Sequence, residues 1–250
     1  MIITKSPREI EIMAKAGELT AQAHGIVKEA ISPGISTREL DRLVEEFLRK
    51  NGAIPAFKGY GGFPASICTS VNNQVVHGIP SSDVILQPGD ILSVDIGTIF
   101  DGYVGDAAAT YPVGDISPES EKLLAVTARA LMEGIERAVE GNRLSDISAA
   151  IQQWVEANGF SVIRDYVGHG IGQQMHEDPQ IPNFGRPGFG PQLMSGMVLA
   201  IEPMVNAGNY HVKTLADGWT VVTADGSLSA HFEHTVAITP QGPRILTALG

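Results

Sequence analysis

Residues 36–52 and 143–159 align without a gap at an offset of 107 residues. Leu40 falls on Ile147, Val44 on Ile151, Phe47 on Trp154 and Leu48 on Val155, and Asn51-Gly52 falls on Asn158-Gly159. The same offset carries Gly89 onto Gly196 and Asp95 onto Glu202. Chance similarity of one amphipathic helix would not also hold register with an apolar run far downstream. Ser6-Pro7 and Ser117-Pro118 extend the correspondence to the preceding helices. The chain is therefore expected to fold as two related helix–helix–strand halves, about 1–115 and 116–250, facing each other about a pseudo-two-fold axis. Two copies at so long a period do not make a solenoid. No Pro/Gly/Ser-rich linker divides the sequence, so residues 1–250 are read as one α+β domain, with the seam near Val113–Pro118.

Periodicity places the elements. Helices are expected over 7–31, 37–50, 119–139 and 144–157; Ser6, Pro7 and Glu9 supply an N-terminal cap for the first. Strands are expected over 66–77, 197–205, 219–223 and 229–239, and a hairpin over 90–111 turns near Asp101-Gly102. A glycine-rich stretch, Gly168-His-Gly-Ile-Gly172, lies within 160–182.

Composition excludes several functions. A net charge of −11 argues against a nucleic-acid or anionic-membrane surface. Cys68 is the single cysteine, so no internal disulfide forms, as befits a reducing cytoplasm. The N-terminus carries no signal-peptide apolar core, and no stretch approaches the ~20 apolar residues of a membrane span.

The chemistry sits in four acids and a histidine. Asp95 closes the apolar run Asp90-Ile-Leu-Ser-Val-Asp95, and Glu202 closes the matching Met197-Val-Leu-Ala-Ile-Glu202. Burying a carboxylate is costly unless a cation meets it. Asp95 and Asp106 flank the hairpin turn. A four-residue loop would set them directly opposite and a two-residue Asp-Gly loop one diagonal step apart; either register leaves both on one face, barring a bulge. Close carboxylates repel, so one stays protonated unless a cation holds both. Glu202 and Glu233 form the partner pair. Four carboxylates are balanced by two divalent cations. With the imidazole of His169 they suit Mn(II), Fe(II), Co(II) or Zn(II) rather than a thiolate-type zinc site.

Specific segments carry a resemblance over essentially the whole chain. Lys15-Ala-Gly17, Val75-Val-His-Gly-Ile-Pro80, Asp90-Ile-Leu-Ser-Val-Asp-Ile-Gly97, Gly105-Asp106, Gly168-His-Gly-Ile-Gly172, Ile201-Glu-Pro-Met-Val-Asn-Ala-Gly208, Asp217-Gly-Trp-Thr220 and Phe232-Glu-His-Thr235 resemble, in order and spacing, the type I methionine aminopeptidases. The resemblance implies a pita-bread fold around a central antiparallel sheet. It also implies removal of the initiator methionine from nascent chains whose second residue is small, by a hydroxide bridging two metal ions.

It further implies roles. Asp95, Asp106, His169, Glu202 and Glu233 are the expected metal ligands, with Asp106 and Glu233 bridging, Asp95 on one ion, and His169 and Glu202 on the other. Glu202 is also the expected proton acceptor. His176 is expected near the scissile carbonyl and His77 near the peptide nitrogen. Tyr60, Phe63, Cys68 and Trp219 are expected to form the methionine slot; Phe57, Phe63 and Met175 depart from common residues there. Cys68 has no His or Cys beside it to make it a nucleophile. His231, where relatives often carry Gln, is expected on a strand face with Glu233, beside the ligands. His24 and His211 are read as ordinary structural or surface histidines. A cytoplasmic monomer meeting chains near the ribosome is expected.

The same ligands would serve a proline-directed peptidase, but those relatives usually carry a separate N-terminal domain. A type II methionine aminopeptidase needs an insertion in the C-terminal half. A binding protein that kept only the fold would be expected to lose ligands, and all five are present.

Overall fold

The computed structural model describes residues 1–248. In the first half, helices α1 (Pro7–Ala30) and α2 (Thr37–Lys50) precede strands β1 (Ile54–Pro55), β2 (Cys68–Val71), β3 (Gln74–Val76), β4 (Ile91–Phe100) and β5 (Tyr103–Pro112). The second half opens with α3 (Pro118–Ile135), α4 (Leu144–Ala157), β6 (Ser161–Val162), β7 (Gly168–Gly170), β8 (Glu177–Ile181) and β9 (Val198–Ile201). It ends with β10 (Met204–Asn206), β11 (Val212–Thr214), β12 (Val221–Thr223), β13 (Ser229–His231), β14 (His234–Thr239) and β15 (Gly242–Ile245).

The repeat persists in the backbone. Helices α2 and α4, and strands β1 and β6, have bounds that differ by the sequence offset. So do the bridges Ser36–Ile85 and Arg143–Gln192. Gly34 N donates to Leu86 O at 2.8 Å, and Gly141 N donates to Leu193 O at 3.0 Å. Local capping differs between the halves. Ser36 Oγ accepts from Glu39 N to start α2, whereas the Asp146 carboxylate accepts from Arg143 N at the start of α4. Each satisfies an orphan group at the helix start.

Four apolar clusters hold these elements, the smallest formed by Val75, Val76, Ile163, Met204 and Val221. Leu40, Val44 and Leu48 of α2 pack with Leu92, Val94 and Ile96 of β4. Ile147, Ile151 and Val155 of α4 pack with Leu199 of β9 and Val236 of β14. These repeat-related side chains are fully buried, or nearly so. Each contributes ~1.5–3 kcal/mol relative to exposure. The third cluster draws on both halves, joining Phe57, Phe63 and Cys68 to Ile171, Met175 and Ala200.

All recorded strand pairs are antiparallel. β4 pairs with β5 along one edge and with β2 and β1 along the other. A five-stranded sheet runs β15-β14-β9-β7-β8, and a three-stranded one β13-β10-β6. Helix α1 lies against the hairpin at backbone distance. A methyl at Gly105 would sit 2.6 Å from Gly17 N, which explains the small residues in Lys15-Ala-Gly17 and Gly105-Asp106.

Three expected strands are broken. Residues 66–77 form β2 and β3, folded at Asn72, whose φ is +55°. Residues 197–205 change sheet at Glu202-Pro203, where proline has no N–H for the ladder. Residues 229–239 break at Phe232-Glu233. The third helix ends at Ile135 rather than 139, and the first at Ala30.

Candidate metal centre and substrate cavity

The β4–β5 hairpin turns through Asp101 (φ +48°) and Gly102 (φ +79°), a two-residue loop with both residues left-handed. In the resulting register Asp95 faces Ala108 and Asp106 faces Gly97. The two acids therefore stand one diagonal step apart on the same face. Gly97 is bare for a reason: a methyl there would lie 2.7 Å from Phe57 Cε1 and 2.8 Å from Met175 Cε. On the other edge of β4, Cys68 of β2 pairs with Asp95.

The second pair of acids is built differently. Ile201 pairs with His234, and Met204 pairs with His231. Glu202-Pro203 and Phe232-Glu233 lie between these pairings, where both strands leave the five-stranded sheet for the three-stranded one. Their freed backbone groups find partners elsewhere. Glu233 N donates to Ala108 O of the hairpin at 2.8 Å, and Asn183 Nδ2 donates to Glu202 O at 2.9 Å.

Two threonines fasten one half's backbone to the other's. Thr235 Oγ1 accepts from Asp106 N at 3.0 Å and donates to Asp106 O at 2.8 Å. Thr110 Oγ1 accepts from His231 N and donates to His231 O, both at 2.9 Å.

The ligand-type side chains converge. One atom each from Asp106, His169 and Glu233 lie within 4.8 Å of one another, and all three residues are buried. His169 Nε2 is 3.5 Å from Glu202 Oε1 and 4.0 Å from Asp106 Oδ2. The carbonyl of Gly170 accepts from His169 Nδ1 at 2.9 Å, which leaves Nε2 with its lone pair toward the acids. Burial pushes Glu202 up to about 8. It pushes Asp95 up to about 7, where the Glu202 charge adds to the effect. Asp106 and Glu233 are raised by burial and by the neighbouring carboxylates. Burial lowers His169 to about 4, so its ring is neutral.

This set fits divalent metal. Buried oxygens of Asp95, Asp106 and Glu233 have no hydrogen-bond donor. Unpartnered buried carboxylates are expensive, and a cation on a set of oxygen and imidazole donors satisfies them.

Asp95, Asp106, His169, Glu202 and Glu233 line one cavity of about 170 Å³, with His77 and His176. Tyr60, Phe63, Cys68 and Trp219 line the same cavity, with Phe57 and Met175. The Phe63 and Trp219 rings meet edge-on at 5.1 Å. Burial raises the Cys68 thiol far above its ordinary value, which makes it a wall and not a nucleophile. His77 adopts a left-handed φ of +60°, uncommon for a non-glycine residue, and its ring stands edge-on to Tyr166 and Trp219.

His231 lies beside the acids, as expected, against Glu202. The strand breaks before Glu233, so period-two alternation does not decide where His231 points. His231 Nε2 lies 3.5 Å from Glu202 Oε2. His24 is structural, bonded to Tyr111 and to the carbonyl of Ala107, and His211 packs beside Tyr210. Sequence reasoning missed the buried pair Lys5 Nζ–Glu177 Oε2 at 2.6 Å, next to His176. It also missed Thr110, Thr235 and Tyr166. A lysine near the start of the chain gives no sign of a partner 172 residues away.

Comparison with known proteins agrees with this geometry. The sequence profile of metallopeptidase family M24 matches residues 11–240. A methionine aminopeptidase of Clostridium perfringens is 61% identical over 249 residues, covering 100% of both chains. The crystal structure of methionine aminopeptidase from Thermotoga maritima superimposes with a TM-score of 0.98 at 50% identity, covering 100% of both chains. A prolidase from Pyrococcus horikoshii gives a TM-score of 0.81 at 25% identity; it covers 100% of this chain but only 65% of its own. The fold shared with these enzymes is the pita-bread architecture. The chain belongs to metallopeptidase family M24, in its methionine aminopeptidase branch.

Proposed function

We propose that this chain removes the N-terminal methionine from polypeptides by metal-dependent hydrolysis. The observation that carries this reading is one cavity lined by five ligand-type side chains together with aromatic rings and sulfur. A thioether packs well against such a slot. Asp95, Asp106, His169, Glu202 and Glu233 would hold two divalent ions, which would balance the four carboxylates. Bound metal supplies electrophilic assistance to the scissile carbonyl and acidifies water at the site.

The chain's own groups do the rest. Tyr60, Phe63, Cys68 and Trp219 hold the methionine side chain and fix the scissile bond against the acids. Glu202 takes a proton from the attacking water on a carboxylate oxygen. The proton passes to the peptide nitrogen as the C–N bond breaks, giving methionine and a shortened chain. His77, neutral through burial at about 4, sits to contact that nitrogen. His176 donates to the carbonyl oxygen as charge develops there. The two halves work as a single catalytic domain, because each supplies ligands to the same cavity. We further read the second residue as small, the substrates as nascent chains met near the ribosome, and the protein as a cytoplasmic monomer. No described helix is long and apolar enough to cross a membrane.

Release of the N-terminal residue from Met-Ala-Ser, Met-Leu-Ser and Ala-Pro-Ser by metal-loaded protein tests the reading. Cleavage of Met-Ala-Ser well above Met-Leu-Ser supports it. Preference for Ala-Pro-Ser would assign a proline-directed peptidase instead.

A further inference from the structure

Tyr60 is both a wall of the cavity and a partner of His176. Its hydroxyl lies 2.7 Å from His176 Nδ1, and the two rings are 5.4 Å apart at 40°. Tyr60 sits on a short turn, Tyr60–Gly62, in which Gly59, Gly61 and Gly62 all have positive φ. Residues with side chains seldom adopt that conformation, so the turn's path is set by its glycines. The turn also rests on Trp219: a methyl at Gly61 would be 3.3 Å from Trp219 Cη2. The hydroxyl is thus delivered to His176 by a backbone shape, although the residue is nearly half exposed at the cavity mouth.

A phenol is a good hydrogen-bond donor and a poor acceptor, and a neutral imidazole accepts through its unprotonated nitrogen. A hydroxyl donating to Nδ1 therefore leaves the ring proton on Nε2. His176 lines the cavity, and its ring packs 4.4 Å from the His169 ring.

We propose that Tyr60 is a positioning residue whose hydroxyl fixes His176 as the Nε2–H tautomer, with its donor presented to the reacting carbonyl. This rests on the aminopeptidase reading for its catalytic consequence, but not for the tether itself. A methionine side chain in the slot covers Tyr60 and excludes competing water from the tether. Occupancy of the slot is in this way linked to the readiness of His176, and a poorly filling side chain leaves the donor loosely held.

The test is Tyr60→Phe, which keeps the ring and removes the hydroxyl, read in two ways. Imidazole nitrogen NMR of the parent, with the His176 signals identified from a His176→Asn spectrum, should show the proton on Nε2. In Tyr60→Phe the His176 signals should shift toward a mixture of tautomers. With Met-Ala-Ser, kcat should fall roughly two- to tenfold, the size expected for one hydrogen bond, with KM near the parent value. A parent His176 protonated on Nδ1, or an unchanged tautomer in Tyr60→Phe, would overturn the tether. A raised KM with intact kcat would make Tyr60 a slot wall only. A parent that releases no methionine would condemn the aminopeptidase reading and leave the NMR result to decide the tether.

Discussion

The two halves each supply a pair of carboxylates, but they build them by opposite means. Asp95 and Asp106 stand on an unbroken hairpin whose ten registered pairs are closed by a two-residue turn. Glu202 and Glu233 stand in a gap, where a strand pair breaks off between Ile201–His234 and resumes at Met204–His231. The first pair is fixed by local periodicity. The second is fixed only when the gap docks on the first half, through Glu233 N to Ala108 O and the Thr235 clasp on Asp106. An ancestral repeat can thus retain its register while one copy keeps a rigid ladder and the other trades ladder bonds for bonds between the halves. The broken copy supplies Glu202, to which we assign the handling of a proton.

The sharpest way to break this division is to neutralise Glu202. Glu202→Gln should lower turnover by about 10²–10⁴-fold, the usual contribution of a general base, with KM for Met-Ala-Ser nearly unchanged. Steady-state kinetics on a variant of verified metal content reads this directly. A rate within a few-fold of the parent would return the proton-accepting role to another group.

The next largest effect should come from the hairpin's bare position. Gly97→Ala drives a methyl into Phe57 and Met175. Overpacking of this kind costs about 1–3 kcal/mol, and the slot should deform with it. Urea unfolding should show the loss, and KM for Met-Ala-Ser should rise. An unchanged KM would mean that Gly97 has no part in shaping the slot.

Much of this contrast could be read in the sequence, and its limits are physical. Asp-Gly between alternating runs identifies a tight hairpin, so Asp95 and Asp106 share a face whichever loop is chosen. The structure then selects the diagonal register. The offset of 107 recovered α2 against α4 to the residue, because both helices follow the same buried stripe. The breaks at Glu202-Pro203 and Phe232-Glu233 were not recovered. Apolar runs on both sides of each break read as continuous strands, and a change of sheet leaves no periodic mark. Pro203 was the available signal. Asn72-Asn73 was the equivalent signal within 66–77. Alternation sets His231 on a face with Glu233, and the break between them leaves its 3.5 Å contact with Glu202 out of reach of the sequence. Thr110 and Thr235 look like ordinary strand residues until a backbone from the other half reaches them.

The threonine clasps allow a finer comparison. Thr235→Val and Thr110→Val should each destabilise the fold by about 1–3 kcal/mol, since buried backbone groups lose their partners. The two should differ in metal binding. Thr235 holds the backbone of a ligand, so its variant should weaken affinity in calorimetric titration; Thr110 holds His231, so its variant should bind metal like the parent. Equal metal affinities in the two variants would show that the clasps act on stability alone.

The smallest expected effect is a pH dependence of the metal-free chain. Asp95 and Glu202 are held up to about 7 and about 8 by burial, above ordinary carboxylate values near 4. Between those limits the folded chain binds more protons than the unfolded one, so these groups lower stability as pH rises. Their favourable contribution is complete below about pH 4 and lost on passing the folded values. Buried histidines held near 4, His77 and His169 among them, act the other way up to about pH 6.5, so thermal melting of chelated protein should move down by a few degrees from pH 6.5 to pH 8. Metal binding displaces those protons and should cancel or reverse the trend. A melting temperature that rises over this range without metal would contradict the burial of the acids.

Calorimetric titration of rigorously metal-free protein with Mn(II), with methionine release from Met-Ala-Ser followed at each point, tests most directly whether the two halves jointly hold a metal pair. The account predicts no activity without metal, recovery as ions bind, and a stoichiometry approaching two per chain, the second ion weaker. Full activity in the metal-free protein would contradict it.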